Sequence, residues 1–178
     1  MDKETLHQTP SQTVGPYFAY GLTPEQYLYD FKSAWTPVMC EDGDNTIKII
    51  GQVFDGAGDL IPDAMIELWQ YDPGKSLFGR CGTGTDPDNR FNFRTIKPVQ
   101  VDGNAPFITV IVFMRGQLIH SYTRMYFEDE AELNVKDEVL NSVPEDRRKT
   151  LIAKKSGNGL YEFNIRMQGK EETIFFEF

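Results

Sequence analysis

From residue 46 onward the chain reads as short runs of apolar positions separated by turn residues. Residues 46–53 form a β-rich run, Asp55, Gly56, Gly58 and Asp59 supply turn chemistry, and residues 64–69 form a second strand. Residues 90–96 alternate, with Phe91, Phe93 and Thr95 on one face and Asn92 and Arg94 on the other. Residues 107–113 are apolar but for Thr109, the pattern of a strand covered on both faces, and residues 118–127 follow through Arg115 and Gly116. Tyr161, Phe163, Ile165 and Met167 alternate against Glu162, Asn164 and Arg166, and residues 173–178 close the chain as an apolar strand. Helical signals are confined to residues 128–141 and 144–155. The second of these opens with Pro144 before Glu145 and Asp146 and carries its basic residues later, as the helix dipole favours. At least seven short strands with two minor helices predict a mainly β protein, an antiparallel β-sandwich core over residues 46–178.

The first 45 residues follow a different pattern and read as an N-terminal arm. Thr9 to Tyr17 run Thr-Pro-Ser-Gln-Thr-Val-Gly-Pro-Tyr, in which two prolines fix φ and push each preceding residue out of the helical region. Gly15 permits close backbone approach. Such a stretch lies in one shape against something, either its own domain or a site. Residues 18–45 are irregular, with Pro24, Pro37 and a turn-rich stretch at 41–45, which is more typical of an interaction segment than of a core element.

Composition narrows the function classes. The 178 residues are 40% hydrophobic and 13% aromatic, enough for one well-filled core. A net charge of -9 disfavours a nucleic-acid binder. The basic residues Arg147, Arg148, Lys149, Lys154 and Lys155 fall on one short helical pattern beside acidic neighbours and read as a solvated face. No apolar run approaches the roughly 20 residues of a membrane span, and Met1-Asp2-Lys3-Glu4 lacks a signal peptide's apolar core. Cys40 and Cys81 read as buried thiols of a reducing compartment, so the expected location is cytoplasmic.

Most familiar chemistries fail on the residues. Gly74-Lys75-Ser76 lacks the preceding glycine of a phosphate loop, Gly82-Thr83-Gly84 lacks a third glycine, and no Gly-x-Ser-x-Gly elbow exists. Asp86-Pro87-Asp88-Asn89 reads as a solvated turn. The two histidines, His7 in the arm and His120 in a strand, are too few for a His-rich metal centre, and His120 reads as a hydrogen-bonded structural residue. Arg124 is the notable cation. It sits mid-strand in Tyr122-Thr123-Arg124-Met125-Tyr126, and its guanidinium fork suits either a structural ion pair or a ligand carboxylate.

Several separate stretches, taken in order, carry a resemblance. They are Thr9-Pro10-Ser11-Gln12-Thr13 with Gly15-Pro16-Tyr17, Gly51-Gln52-Val53-Phe54-Asp55-Gly56, Ile66-Glu67-Leu68-Trp69-Gln70 and Thr95-Ile96-Lys97-Pro98. Thr123-Arg124 with Tyr126-Phe127, Lys136-Asp137 with Val139-Leu140-Asn141, Leu151-Ile152-Ala153-Lys154 and the closing run from Ile165-Arg166 to Phe175-Phe176 complete the set. Over nearly its whole length the sequence resembles the alpha subunits of the intradiol ring-cleavage dioxygenases that act on protocatechuate.

The resemblance implies an enzyme of aromatic catabolism, in the β-ketoadipate pathway, built from alpha and beta subunits that share the sandwich and assemble further. It implies that the beta subunit is the partner and holds a non-haem Fe(III) with two tyrosines and two histidines. Protocatechuate and dioxygen would give 3-carboxy-cis,cis-muconate. The positions corresponding to the histidines fall at about Phe107 and Thr109, and Val99-Gln100-Val101 offers no tyrosine, so this chain is expected to bind no metal and to be inactive alone. Its implied contribution is the wall of the substrate cavity, through Thr13, Gly15, Pro16, Tyr17 and Arg124. Two departures from the family pattern stand out: residues 71–77 replace a longer loop, and Val14 stands where smaller residues are common. A ligand-binding sandwich of transthyretin-like type, without enzymatic activity, is the rival reading.

Overall fold

A computed structural model of the chain describes residues 15–177, with side chains from Ala19 onward. Nine strands follow one another: β1 (Thr46–Phe54), β2 (Met65–Asp72), β3 (Lys75–Gly82), β4 (Arg90–Ile96), β5 (Phe107–Phe113), β6 (Ser121–Phe127), β7 (Ile152–Gly157), β8 (Leu160–Glu162) and β9 (Ile165–Arg166). Their spatial order is β3-β2-β5-β6-β7-β8-β1-β4, with β9 beside β1. The path folds back on itself, so that β3 and β4 at its two ends meet. A Cβ at Gly79 would strike the Met39 side chain at 2.6 Å and lie 3.2 Å from the Phe93 ring of β4. Strands β3, β2, β5 and β6 thus form one layer and β8, β1 and β4 the other, as expected of a sandwich.

Alternation decides what fills the space between the layers. Ile47, Ile49 and Val53 of β1, Phe91 and Phe93 of β4, Ile66 and Leu68 of β2, and Ile108, Val110 and Val112 of β5 are all buried there. Where β1 passes closest to its neighbours the residue is Gly51, at which a Cβ would lie 1.9 Å from the Phe163 carbonyl oxygen. A second, smaller cluster lies on the outer side of β6. Tyr126 packs there with Ala105, Leu140, Val143 and Leu151 under a roof made by α3 (Glu138–Ser142) and the 3-10 turn Arg148–Leu151.

The structure departs from the sequence reading in several places. The sheet is mixed rather than antiparallel throughout, because β1 pairs in parallel with β8 and β9, and β6 in parallel with β7. The connection from β6 to β7 is long enough for a crossover, which a parallel pair requires. The helical segment 128–141 breaks into a 3-10 turn (Glu128–Glu130), α2 (Ala131–Asn134) and α3. The break comes where Asp137 turns to cap α3 and accepts the Leu140 N–H at 2.8 Å. The second predicted helix is only the turn Arg148–Leu151, and the chain then enters β7 to pair Ile152 and Ala153 with Tyr126 and Phe127.

Its cations are not simply solvated. The Arg148 guanidinium donates to the carbonyls of Val143 and Asn141, Arg147 donates to that of Glu172, and Lys155 reaches Asp129. Strand β6 begins at Ser121 rather than at residue 118, and the closing apolar run makes one isolated bridge, Phe176 to Tyr122, instead of a strand. Strand β3, absent from the sequence reading, forms a two-residue hairpin with β2. Asp72 faces Lys75 across Pro73 and Gly74, and Gly74 takes φ +90° at no steric cost. The departure at residues 71–77 is therefore a tight turn.

In the arm, Gly15 opens α1 (Gly15–Leu22), and a 3-10 turn, Pro24–Tyr27, follows, so residues 18–27 are more regular than their sequence suggests. Gln26 accepts the Gly84 N–H at 2.7 Å, and Met39 sits in the main core. Thr9 to Val14, including Thr13, lie outside the described residues, as does His7. Cys40 and Cys81 are free thiols, half-buried rather than buried. Asp86 and Asp88 of the acidic turn are engaged by Arg90. No helix of the described residues is long and apolar enough to cross a membrane.

Candidate functional site

The β3-β2-β5-β6 layer has an outer face on which the register places side chains in rows. One row runs Phe78, Trp69, Thr109, Arg124 across the four strands, and the next runs Arg80, Glu67, Ile111, Tyr122. Trp69 remains 47% exposed, and its ring lies 4.5 Å from that of Phe78, which Trp35 of the arm also meets at 5.0 Å. The result is an aromatic surface with a cation at its edge. Beside it opens a cavity of about 340 Å³ whose walls include Trp69, Tyr71, Val99, Asn104, Phe107 and Thr109.

Arg124 stands at the margin of the roof over the second cluster. Tyr126, two residues on along the same face, is fully buried, whereas Arg124 is half-buried. The guanidinium carbon lies 4.1 Å from the centroid of the Phe107 ring, a cation–π contact, and Nη1 donates to the Tyr126 hydroxyl oxygen at 3.4 Å. The Tyr126 hydroxyl in turn donates to Asp137 Oδ1 at 3.0 Å. Asp137 is fully buried and also accepts the N–H groups of Leu140 and Ala105, each at 2.8 Å. Burial, with the Asp137 charge adding to it and the Arg124 hydrogen bond opposing it, pushes the Tyr126 hydroxyl up to about 12. The hydroxyl therefore keeps its proton at ordinary pH, commits it to Asp137, and offers Arg124 only an acceptor lone pair.

No carboxylate among the described residues pairs with Arg124. Among the described residues the guanidinium makes no ion pair, and its only hydrogen bond is the one to Tyr126. Of the other predicted wall residues, Gly15, Pro16 and Tyr17 open α1 with only their backbone described, and Thr13 lies outside the described residues. Phe107, Tyr126 and Asp137 escaped the sequence reading as parts of this site. A usable signal was the same-face spacing of Arg124 and Tyr126. His120 precedes β6 and is held by ring contacts to Phe113 and Tyr122, with no hydrogen bond from its imidazole among the described residues.

A second charged cluster serves the fold instead. Lys97 Nζ lies 2.9 Å from Asp129 and 2.7 Å from Glu130, while Lys155 and the Tyr161 hydroxyl both donate to Asp129. Burial alone would lower Lys97, but its hydrogen bonds to Glu130, Asp129 and Tyr161 outweigh that and hold it above the ordinary lysine range. Burial would likewise raise Asp129, and the bonds from Lys97, Lys155 and Tyr161 outweigh it and hold the carboxyl well below the usual range. The cluster joins the end of β4 to the turn after β6 and to β7 and β8.

The iron that the resemblance attaches to this fold does not fit the residues here. Phe107 and Thr109 supply a hydrocarbon ring and a hydroxyl where imidazoles are expected, and residues 99–101 supply no phenol. Among the described residues no group of three or more His, Cys, Asp or Glu side chains gathers as a metal site would require.

Comparison with known proteins identifies the family. No family model matches the sequence. The chain is 48% identical to the protocatechuate 3,4-dioxygenase alpha chain of Burkholderia cepacia, over 97% of this chain and 98% of that one. It is 38% identical to the alpha chain from Pseudomonas putida, with both covered in full. The beta chain from Burkholderia cepacia is 29% identical over 71% of this chain and 66% of its own length. Among solved structures, the intradiol ring-cleavage dioxygenase from Tetranychus urticae superposes with a TM-score of 0.60 at 15% identity, over 82% of this chain and 91% of that one, and shows the shared fold. The chain belongs to the family of protocatechuate 3,4-dioxygenase alpha chains.

Proposed function

We propose that this chain completes the substrate cavity of a protocatechuate-cleaving dioxygenase whose iron is held by a homologous beta subunit. One observation carries the reading: Arg124 is half-buried at the edge of an open aromatic surface and has no carboxylate partner among the described residues. In a chain of net charge -9, a cation left unpaired in this way suits an anion that comes from outside the fold. The carboxylate of protocatechuate matches a guanidinium fork bidentately. Thr13, Gly15, Pro16 and Tyr17 form the remaining wall from this chain, where glycine and proline let backbone approach a flat ring closely. Residues 1–45 then act as a partner-binding arm, and the alpha–beta unit assembles further in the cytoplasm. When bound by the partner, Fe(III) supplies the activation of the catechol toward dioxygen. This chain's own residues hold the substrate carboxylate and exclude solvent.

The test is co-expression with the beta subunit and comparison of protocatechuate with unsubstituted catechol. Alone, the chain is expected to be colourless and inactive, whereas the complex contains iron and consumes oxygen with protocatechuate. In the complex, Arg124→Ala should weaken protocatechuate binding roughly ten- to hundredfold, the value of a charge-assisted contact, and catechol binding far less. Equal losses for both would return Arg124 to a structural role.

A further inference from the structure

We propose that Phe107 is a positioning residue for Arg124, and that its ring keeps the guanidinium free for substrate by holding it without a carboxylate. The inference rests on Arg124 being the substrate-facing cation. Three observations carry it. Arg124 has five N–H donors and a long flexible stem, so something other than its own conformation must fix it. Among the described residues the contacts that hold it are the Phe107 ring at 4.1 Å and the Tyr126 oxygen at 3.4 Å, and neither of them neutralises its charge. Phe107 is itself anchored, because it packs against the second cluster and its ring lies 5.9 Å from that of Tyr126.

The ring and the hydroxyl divide the task. A π face attracts a cation without using any of its hydrogen-bond donors, whereas a carboxylate would occupy two of them. Tyr126 takes one donor and, with its own proton committed to Asp137, presents only an acceptor toward Arg124. That arrangement fixes the rotation of the fork about the ring and, among the described residues, leaves its other donors unused.

The test uses the alpha–beta complex with four chains: wild type, Phe107→Leu, Phe107→Tyr and Arg124→Ala. The readout is the ratio of KM for protocatechuate to KM for catechol, with kcat measured alongside and thermal unfolding as the control for folding. Phe107→Leu, which keeps the apolar volume but removes the π face, should raise the ratio about three- to tenfold. Phe107→Tyr, which keeps the ring, should restore it to within about twofold of wild type. A Phe107→Leu ratio equal to wild type, while Arg124→Ala still shifts it, would overturn the positioning role and leave Arg124 in place. Failure of Phe107→Tyr to restore the ratio would also overturn it. An unchanged ratio in Arg124→Ala would instead remove the reading on which the inference rests.

Discussion

Two arginines stand on the same outer sheet face, one row apart, and the fold treats them in opposite ways. Arg80 directs Nε and Nη2 at a single Glu67 oxygen, at 2.8 and 2.6 Å, and both side chains are about nine-tenths buried. Arg124 meets a ring and a hydroxyl, has no carboxylate partner among the described residues, and stays half open. Both guanidiniums touch a phenylalanine, since Arg80 lies 5.5 Å over Phe78, so the aromatic contact does not distinguish them. The carboxylate does. Where an internal acid is in register opposite, at Glu67, the charge is spent on the fold. Where a threonine is opposite, at Thr109, the guanidinium has no carboxylate partner among the described residues.

The largest effect should come from breaking the closed pair. Glu67→Gln keeps the shape but leaves Arg80 buried without a counter-charge, a change that costs about 3–5 kcal/mol. For a domain of this size the midpoint of thermal unfolding should fall by roughly 10 °C. The protocatechuate-to-catechol preference of the surviving complex should stay at the wild-type value. A shift in preference without loss of stability would show that Arg80, and not only Arg124, faces substrate.

A smaller loss is expected at the other cluster that the fold uses up internally. Asp129→Asn removes the acceptor charge shared by Lys97, Lys155 and Tyr161, at a cost of about 2 kcal/mol in urea unfolding near neutral pH. The pH dependence has a definite sign. A carboxyl held below its unfolded value near 3.8 contributes stability that is present above about pH 4 and is lost as pH falls through its folded value. Lys97, held above its unfolded value near 10.5, contributes stability that is present below about pH 10 and is lost as pH rises. The gap between wild type and Asp129→Asn should therefore narrow as pH falls below 4. A gap unchanged at pH 3 would show that the charge of Asp129 is not what stabilises the cluster.

These contrasts also explain how much could be read from sequence. Strands β4 and β5 were legible to the residue, because the alternation of Phe91, Phe93 and Thr95 and the apolar run 107–113, interrupted only by Thr109, are patterns carried by the local sequence. Strand β3 was not, since its alternation is interrupted by Gly79, which leaves room for the Met39 side chain of the arm and, next to it, the Phe93 ring of β4. Residues 152–157 carry a helix's composition yet pair with β6 and β8, a case of tertiary contact overriding propensity. Arg124 was visible as a charge inside a strand. What holds it was not, because Phe107 and Asp137 lie 17 residues before it and 13 after it in the chain, and only the β5–β6 register and the cap of α3 bring them together.

The comparison can finally be tested by making one arginine resemble the other. Thr109 faces Arg124 directly across β5 and β6, as Glu67 faces Arg80 across β2 and β3. Directly opposed positions bring Cβ atoms within about 5.5 Å, so a glutamate at 109 can reach the guanidinium. Thr109→Glu should therefore fold at least as well as wild type, with a gain of roughly 0.2–1 kcal/mol in urea unfolding from the new cross-strand pair. In the alpha–beta complex it should move the protocatechuate-to-catechol KM ratio toward that of Arg124→Ala even though Arg124 itself is intact. Thr109→Gln, similar in size but uncharged, should leave the ratio closer to wild type, which separates charge capture from crowding of the cavity. If glutamate and glutamine shift the ratio equally, the threonine matters for its size, and the absence of an opposed carboxylate is not what keeps Arg124 available.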